Sequence, residues 1–174
     1  MLNPTTLDMI EFVKFFVQTL QPDNYLELGL YLGETISYCK DFVKHNSIGV
    51  DISIPKHLKG YSFYNMTTDE FFKQIEEKDI LIPPLDMVFI DADHSHEQSL
   101  KDFNNVFPYV VDQGLIFLHD TFPKDKKHIQ PGYCGDVYKT AVQILDRKDC
   151  EIITLPVHPG LSIVRKRKEH LNVR

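Results

Sequence analysis

Between Asn24 and Thr35 the chain reads NYLELGLYLGET, and no other stretch limits the possible folds as tightly. An apolar run, Tyr25-Leu26 with Leu28, meets a segment holding Glu27, Gly29 and Gly33, and helix-forming residues begin at Glu34. The pattern is a strand, a tight glycine turn and a helix. In an open α/β sheet such a turn stands beside the switch point, where backbone comes so near a ligand that only glycine fits. The spacing here is ExGxxxGxT rather than GxGxxG. A dinucleotide site receives pyrophosphate at a free helix N-terminus, whereas Glu34 puts a carboxylate into that first turn and repels phosphate. The stretch favours a ligand with little or no phosphate.

A chain of 174 residues, 43% of them hydrophobic, supports one well-buried core and is too short for two ordinary domains. The formal charge of -6 argues against a nucleic-acid-binding face, which needs clustered cations to displace counterions. Arg165-Lys166-Arg167-Lys168 is the one dense basic run and reads as a solvated tail. Cys39, Cys134 and Cys150 form no CxxC pair, so neither a disulfide framework nor a zinc site is indicated, and a reducing compartment is expected. No apolar segment reaches bilayer-spanning length, and Asp8, Glu11 and Lys14 interrupt the apolar residues near the N-terminus. A soluble, cytoplasmic protein without membrane or nucleic-acid partners is the expectation.

Residues Thr5 to Leu20 place Leu7, Ile10, Val13, Phe16, Val17 and Leu20 at helical intervals, predicting an amphipathic helix against a sheet. After the glycine turn, Ile36, Cys39 and Val43 mark the stripe of a second helix. Ser47 to Asp51 reads as a buried strand ending in an acid, 24 residues beyond Glu27. That is near the interval of roughly 20 residues at which nucleotide-binding α/β folds place a ribose-binding carboxylate. Asp51 is thus either a bidentate acceptor for two ribose hydroxyls or an acid that starts a loop. Tyr61 to Asn65 is a third strand, and Thr67 with Glu70 forms a capping box opening a helix with Phe71, Phe72 and Ile75. Thr68 or Asp69 is also placed to touch an adenine amino group.

In Leu85 to Glu97, LDMVFIDADHSHE, the run Met87-Val88-Phe89-Ile90 suits a central parallel strand covered on both faces. It discharges Asp91, Asp93 and His94 at its carboxyl end, and a capping box of Ser95 with Gln98 starts the next helix. Asp112-Gln113-Gly114 then turns the chain into the strand Leu115 to Leu118, which ends in His119-Asp120-Thr121. If these two strands are adjacent and parallel, Asp91 and Asp120 leave the sheet side by side in the ligand crevice. Two converging carboxylates repel unless one is protonated or a cation such as Mg²⁺ joins them; the alternative is that each caps its own following segment.

Phe122 to Gly135, polar and proline-containing, reads as a mobile loop over the same end of the sheet, and Asp136 to Leu145 as the next helix. Glu151 to Leu155 and Leu161 to Arg165 are strands whose short connection demands an antiparallel pair.

With ELGLYLGET, GVDIS, FIDADHSHE, FLHDT, GDVYK and GLSIVRK in this order, the chain resembles a class I S-adenosylmethionine-dependent methyltransferase, in particular the small metal-dependent O-methyltransferases of the antibiotic-sugar and catechol type. The resemblance runs from Tyr25 through Lys166. It implies a Rossmann-like, doubly wound α/β sheet of seven strands in the order 3-2-1-4-5-7-6, the last antiparallel, with helices on both faces. Residues 1–23 would be an N-terminal helix on the sheet, 24–166 the cofactor-binding methyltransferase domain and 167–174 a basic tail. The resemblance places S-adenosylmethionine over Glu27, Gly29, Gly33 and Thr35, with Asp51 on the ribose and Asp69 and Asp91 completing the cofactor site. It puts Asp91, His119 and Asp120 at divalent-metal ligand positions and matches His94 to a general base three residues after the first metal carboxylate. His119 stands where relatives often carry an acid.

The implied reaction is transfer of a methyl group to a hydroxyl of a small molecule, with Mg²⁺ assisting and His94, neutral near pH 7, taking the proton. A nicotinamide-dependent dehydrogenase is disfavoured by Glu34 and the missing GxGxxG. A metal-dependent hydrolase or lyase, and a non-catalytic cofactor-binding protein, stay open as alternatives on the same fold. The short N-terminal region leaves room for a homodimer that closes the site.

Overall fold

The structure, a computed structural model, describes residues 9–58 and 62–168. The expected helical residues Thr5 and Leu7, the strand start at Tyr61 and the tail from 169 onward lie outside the described residues. The strands are β1 (Asn24–Leu28), β2 (Asn46–Asp51), β3 (Ser62–Asn65), β4 (Leu85–Ile90), β5 (Val110–His119), β6 (Cys150–Leu155) and β7 (Leu161–Lys166). The helices are α1 (Met9–Leu20), α2 (Glu34–Cys39), α3 (Thr68–Glu76), α4 (His96–Val106) and α5 (Tyr138–Ile144). One mixed sheet runs β3-β2-β1-β4-β5-β7-β6, the order anticipated from the sequence, with β7 antiparallel to both its neighbours.

Strand periodicity of two divides the core between the faces. Leu26, Leu28, Val50, Val88, Ile90, Ile116 and Leu118 point to the side covered by Phe71, Phe72 and Ile75 of α3, Phe103 and Val106 of α4, and Ile144 of α5. Tyr25, Met87, Phe89 and Phe117 point to the other, where Met9, Val13 and Val17 of α1 and Ile36 and Cys39 of α2 pack. Each fully buried phenylalanine, such as Phe103 or Phe117, contributes enough that truncation to alanine costs roughly 3–5 kcal/mol.

Two elements depart from expectation. The second helix ends at Cys39 and passes through a 3-10 turn, Lys40–Phe42, so Val43 is extended rather than helical. The N–H groups of Lys44, His45 and Asn46 turn instead to the carbonyls of Pro22 and Asp23, which brings the chain back to the start of β2. β5 begins at Val110, not Leu115, because the strand continues through Asp112-Gln113-Gly114 with a register shift against β4. Gln113 takes the left-handed φ of 68° at this irregularity.

Because the order reverses between β1 and β4, a crevice opens at their carboxyl ends. No helix among the described residues is long and apolar enough to cross a membrane.

Candidate active site

The crevice is a cleft of about 1200 Å³. Glu27, Gly29, Thr35, Asp51, Asp69, Asp91, His94, His119 and Asp120, all selected from the sequence, line it. Gly33 does not belong to the lining: it stands at φ 72° before α2, and a Cβ there would meet the Leu58 side chain at 2.7 Å, so its part is to build the turn.

Gly29 lies deepest. Its N–H donates to the Val50 carbonyl at 2.9 Å, and a Cβ at this residue would fall 2.2 Å from the Asp91 carbonyl oxygen. The first turn is thereby pressed against the end of β4 with no room for a side chain. Asp51 binds the same turn from β2. Its Oδ2 accepts from the Leu30 N–H at 2.6 Å and the Tyr31 N–H at 3.1 Å, and its Oδ1 from the Ser53 N–H at 2.8 Å. Both carboxylate oxygens therefore have work within the protein, and with about four lone-pair sites on a carboxylate, little acceptor capacity is left over.

Glu27 is buried beneath the cleft floor. Burial pushes its carboxyl up to about 8, against the opposing hydrogen bond that the Tyr25 hydroxyl donates at 2.7 Å.

Asp91 and Asp120 leave β4 and β5 side by side, since Ile90 pairs with Leu118 in parallel register. Asp120 sits at φ 60°, a left-handed position that Asp tolerates better than most residues. His94 occupies the turn before α4, whose N-cap is Ser95. Its Nδ1 is 3.1 Å from Asp120 Oδ2 and its Nε2 3.5 Å from Asp91 Oδ1. Donor atoms of Asp91, His94 and Asp120 all lie within 4.8 Å of one another, a grouping able to hold a metal ion. His119 adjoins it, with Nδ1 3.1 Å from Asp91 Oδ1 and 3.5 Å from Asp120 Oδ1, while its Nε2 is buried without a hydrogen-bond partner.

The two carboxylates dominate the titration of this group. The hydrogen bond to Asp91 leads in pushing His94 up to about 9, so an imidazolium rather than the expected neutral ring faces the bare carboxylates at pH 7. Burial works to lower His119, yet Asp120 and Asp91 overcome it and push it up to about 10. For Asp91, burial works upward and is outweighed by the hydrogen bonds from His119 and His94, which hold the carboxyl below its usual range.

Several contacts have no counterpart in the sequence reading. The Tyr133 carbonyl accepts from His94 Nδ1, and the His94 carbonyl accepts from the Asp136 N–H at 3.1 Å. Gly135 packs so closely that a Cβ would fall 1.7 Å from the His94 oxygen. The far end of the 122–135 loop is therefore fastened to the His94 turn instead of being free over it. His128 and His158, their rings 4.5 Å apart, form the rim with Tyr133. Ser95 caps α4 by accepting from the Gln98 N–H, but the Gln98 side chain does not return the bond. Its Nε2 turns to Thr68, Asp69 and Asp102. Asp69 is also held by Lys101 at 2.6 Å.

Residues 26–121 match a family model described as a methyltransferase domain. A search of curated proteins gives no significant match. Among solved structures, the O-methyltransferase from Bacillus cereus in complex with SAH is 13% identical, with 95% of this chain and 84% of that one covered at a TM-score of 0.73. The SAH-bound methyltransferase from Podospora anserina is 15% identical, with 92% and 78% covered and a TM-score of 0.72. The O-methyltransferase TomG from Streptomyces achromogenes, in complex with SAM, is 12% identical, with 94% and 82% covered and a TM-score of 0.67. At these identities the structural likeness establishes the fold. The family match spans more than half of the sequence and includes the glycine turn, Asp51, Asp91, His94 and Asp120, so the chain belongs to the methyltransferase-domain family.

Proposed function

We propose that this protein transfers a methyl group from S-adenosylmethionine to a hydroxyl oxygen of a small molecule, with a divalent cation held by Asp91 and Asp120 and with His94 as the base. The observation that carries the reading is the convergence of Asp91, His94 and Asp120 at the ends of adjacent strands, beside a glycine turn too tight for any side chain.

The residues suit both groups. Gly29 lets the first turn close on β4 while lining the cleft, and Glu27 in the same lining supplies a carboxyl that a cationic ligand draws into the ionised form. Two carboxylate oxygens suit a hard cation such as Mg²⁺ or Mn²⁺. When bound, S-adenosylmethionine offers the methyl group on a sulfonium and the cation makes an acceptor hydroxyl more acidic.

The chain does the remainder. Asp51 holds Leu30 and Tyr31 in the turn and offers its remaining acceptor capacity to the ribose. Asp91 and Asp120 would hold the cation beside His94, where it would supply Lewis acidity to an acceptor oxygen. With a cation on Asp91 and Asp120, the charge that keeps His94 protonated would be neutralised, and with Nδ1 donating to the Tyr133 carbonyl, Nε2 would be the atom to take the hydroxyl proton. Alignment of the reactants near van der Waals contact supplies about 7–11 kcal/mol relative to the bimolecular reaction.

The test is calorimetric titration of the purified protein with S-adenosylmethionine and with S-adenosylhomocysteine, each with Mg²⁺ and with a chelator. Micromolar binding of both, with a metal-dependent heat lost on Asp91→Ala, supports the reading. Absence of binding in every condition overturns it.

A further inference from the structure

The Gln98 side chain has only one orientation open to it. Its Nε2 lies 3.1 Å from Thr68 Oγ1, 3.0 Å from Asp69 Oδ1 and 3.0 Å from Asp102 Oδ1. Two of these partners are carboxylates. The Lys101 ammonium, followed by Gln98 itself, keeps Asp69 below the usual carboxylate range. Burial pushes Asp102 up to about 6, still ionised at neutral pH. Turning the amide over would put its oxygen against two anions, so the amide nitrogen must face them. The oxygen, Oε1, takes no part in these bonds. Among the described residues no donor reaches it, and Gln98 lines the cleft.

The place of this oxygen gives it a meaning, which rests on the S-adenosylmethionine reading above. With the sulfonium near Asp91 and the ribose at Asp51, the base lies farther along the cleft, toward the end of β3. Met66 and Thr67 bound that end, together with Ile52, an apolar side chain 72% exposed. Gln98 lines the same cleft and reaches Thr68, next to Thr67, so a purine between Ile52 and Thr67 would lie within reach of the Gln98 amide. At its 6-position adenine carries an amino donor; hypoxanthine carries a carbonyl acceptor.

We propose that Gln98 is the residue that selects adenine, accepting a hydrogen bond from the 6-amino group through Oε1, with Asp69 and Asp102 as positioning residues that stop the amide from turning over. Asp69 itself, its carboxylate already engaged by Gln98 and Lys101, acts behind Gln98 and not on the base.

The experiment compares binding of S-adenosylhomocysteine and its deaminated analogue S-inosylhomocysteine by calorimetry. The wild-type protein is expected to favour the adenine form by about tenfold or more, the cost of opposing two acceptors in place of a hydrogen bond. Gln98→Met should bring the ratio of the two affinities close to one, chiefly by weakening S-adenosylhomocysteine. Asp102→Asn, which offers the amide oxygen a donor and lets Gln98 turn, should lower the ratio with Gln98 still present. The ratio separates recognition from structural damage, since damage weakens both ligands alike. Equal wild-type affinities, or a ratio unchanged in Gln98→Met, overturns the proposal and leaves the methyltransferase reading standing. No wild-type binding of S-adenosylhomocysteine overturns both.

Discussion

His94 Nδ1 stands 3.1 Å from an oxygen of Asp120, joining the turn after β4 to the end of β5. A cation bound by Asp91 and Asp120 competes with His94 for the same negative charge. With His94 pushed up to about 9 by those carboxylates, it carries its proton at pH 8. Metal binding at that pH should therefore release about one proton. Titrating Mn²⁺ in two buffers of different ionisation enthalpy measures this, and His94→Ala should reduce the release. Heats independent of the buffer count against the shared site.

His94→Ala should lower turnover by about 10²–10⁴-fold, the usual contribution of a positioned base, with the dissociation constant for S-adenosylhomocysteine changed less than about threefold. A large loss of cofactor affinity would mean that His94 serves the cofactor site instead.

Glu27 gives stability a sign with pH. Its carboxyl ionises near 4.5 in an unfolded chain and at about 8 when buried, so between these values the folded state holds a proton that the unfolded state has released. The contribution is full below about 4.5 and is lost as pH rises through about 8, with a slope of up to about 1.4 kcal/mol per pH unit. Melting curves at pH 6, 7.5 and 9 should show wild type losing more stability than Glu27→Gln. Parallel profiles for the two proteins contradict the assignment.

Gly29→Ala places a methyl 2.2 Å from the Asp91 carbonyl oxygen at a residue with φ 87°. Backbone must move, and a loss of roughly 2 kcal/mol or more is expected in urea denaturation. Gly132→Ala, which has open space around it, is the control for a positive φ alone. Equal losses in both show that the contact with β4 contributes nothing.

Asp51→Ala should act twice, because the carboxylate holds Leu30 and Tyr31 as well as facing the cleft. We expect a destabilisation of about 1–3 kcal/mol together with a fall in S-adenosylhomocysteine affinity of at least about tenfold. Loss of stability with affinity intact reduces Asp51 to a loop anchor.

What could be read from the sequence follows from how each feature is encoded. Uninterrupted runs such as Met87-Val88-Phe89-Ile90 made the strands readable, with Asp91 and Asp120 at the ends of two of them; the sheet order, and with it the adjacency of those two strands, came from the resemblance to a methyltransferase, because no single run encodes its neighbours. The helix opening at Ser95 was readable, but the destination of the Gln98 side chain was not, since Asp69 and Asp102 come near it only when α3 and α4 pack together. Tyr133 and Gly135 were hidden for a different reason: they act through backbone oxygen and absent side chain, which leave no mark on residue type. Gly33 and Gly29 look alike as letters: each packs against protein, Gly33 on the Leu58 side chain and Gly29 on the Asp91 backbone, and of the two only Gly29 also lines the cleft.

The segment from Phe122 to Asp136 is tied down at both ends, by the Phe122 N–H on the Pro159 carbonyl and by the Asp136 N–H on that of His94. The middle of the loop is coupled to the same His94 turn: Lys127 lies over the Tyr133 ring and the His128 ring stands 5.3 Å from it, while the Tyr133 carbonyl accepts from His94 Nδ1. Substitutions at Lys127 or His128 therefore reach the His94 turn through Tyr133, while the backbone anchors at Phe122 and Asp136 stay in place.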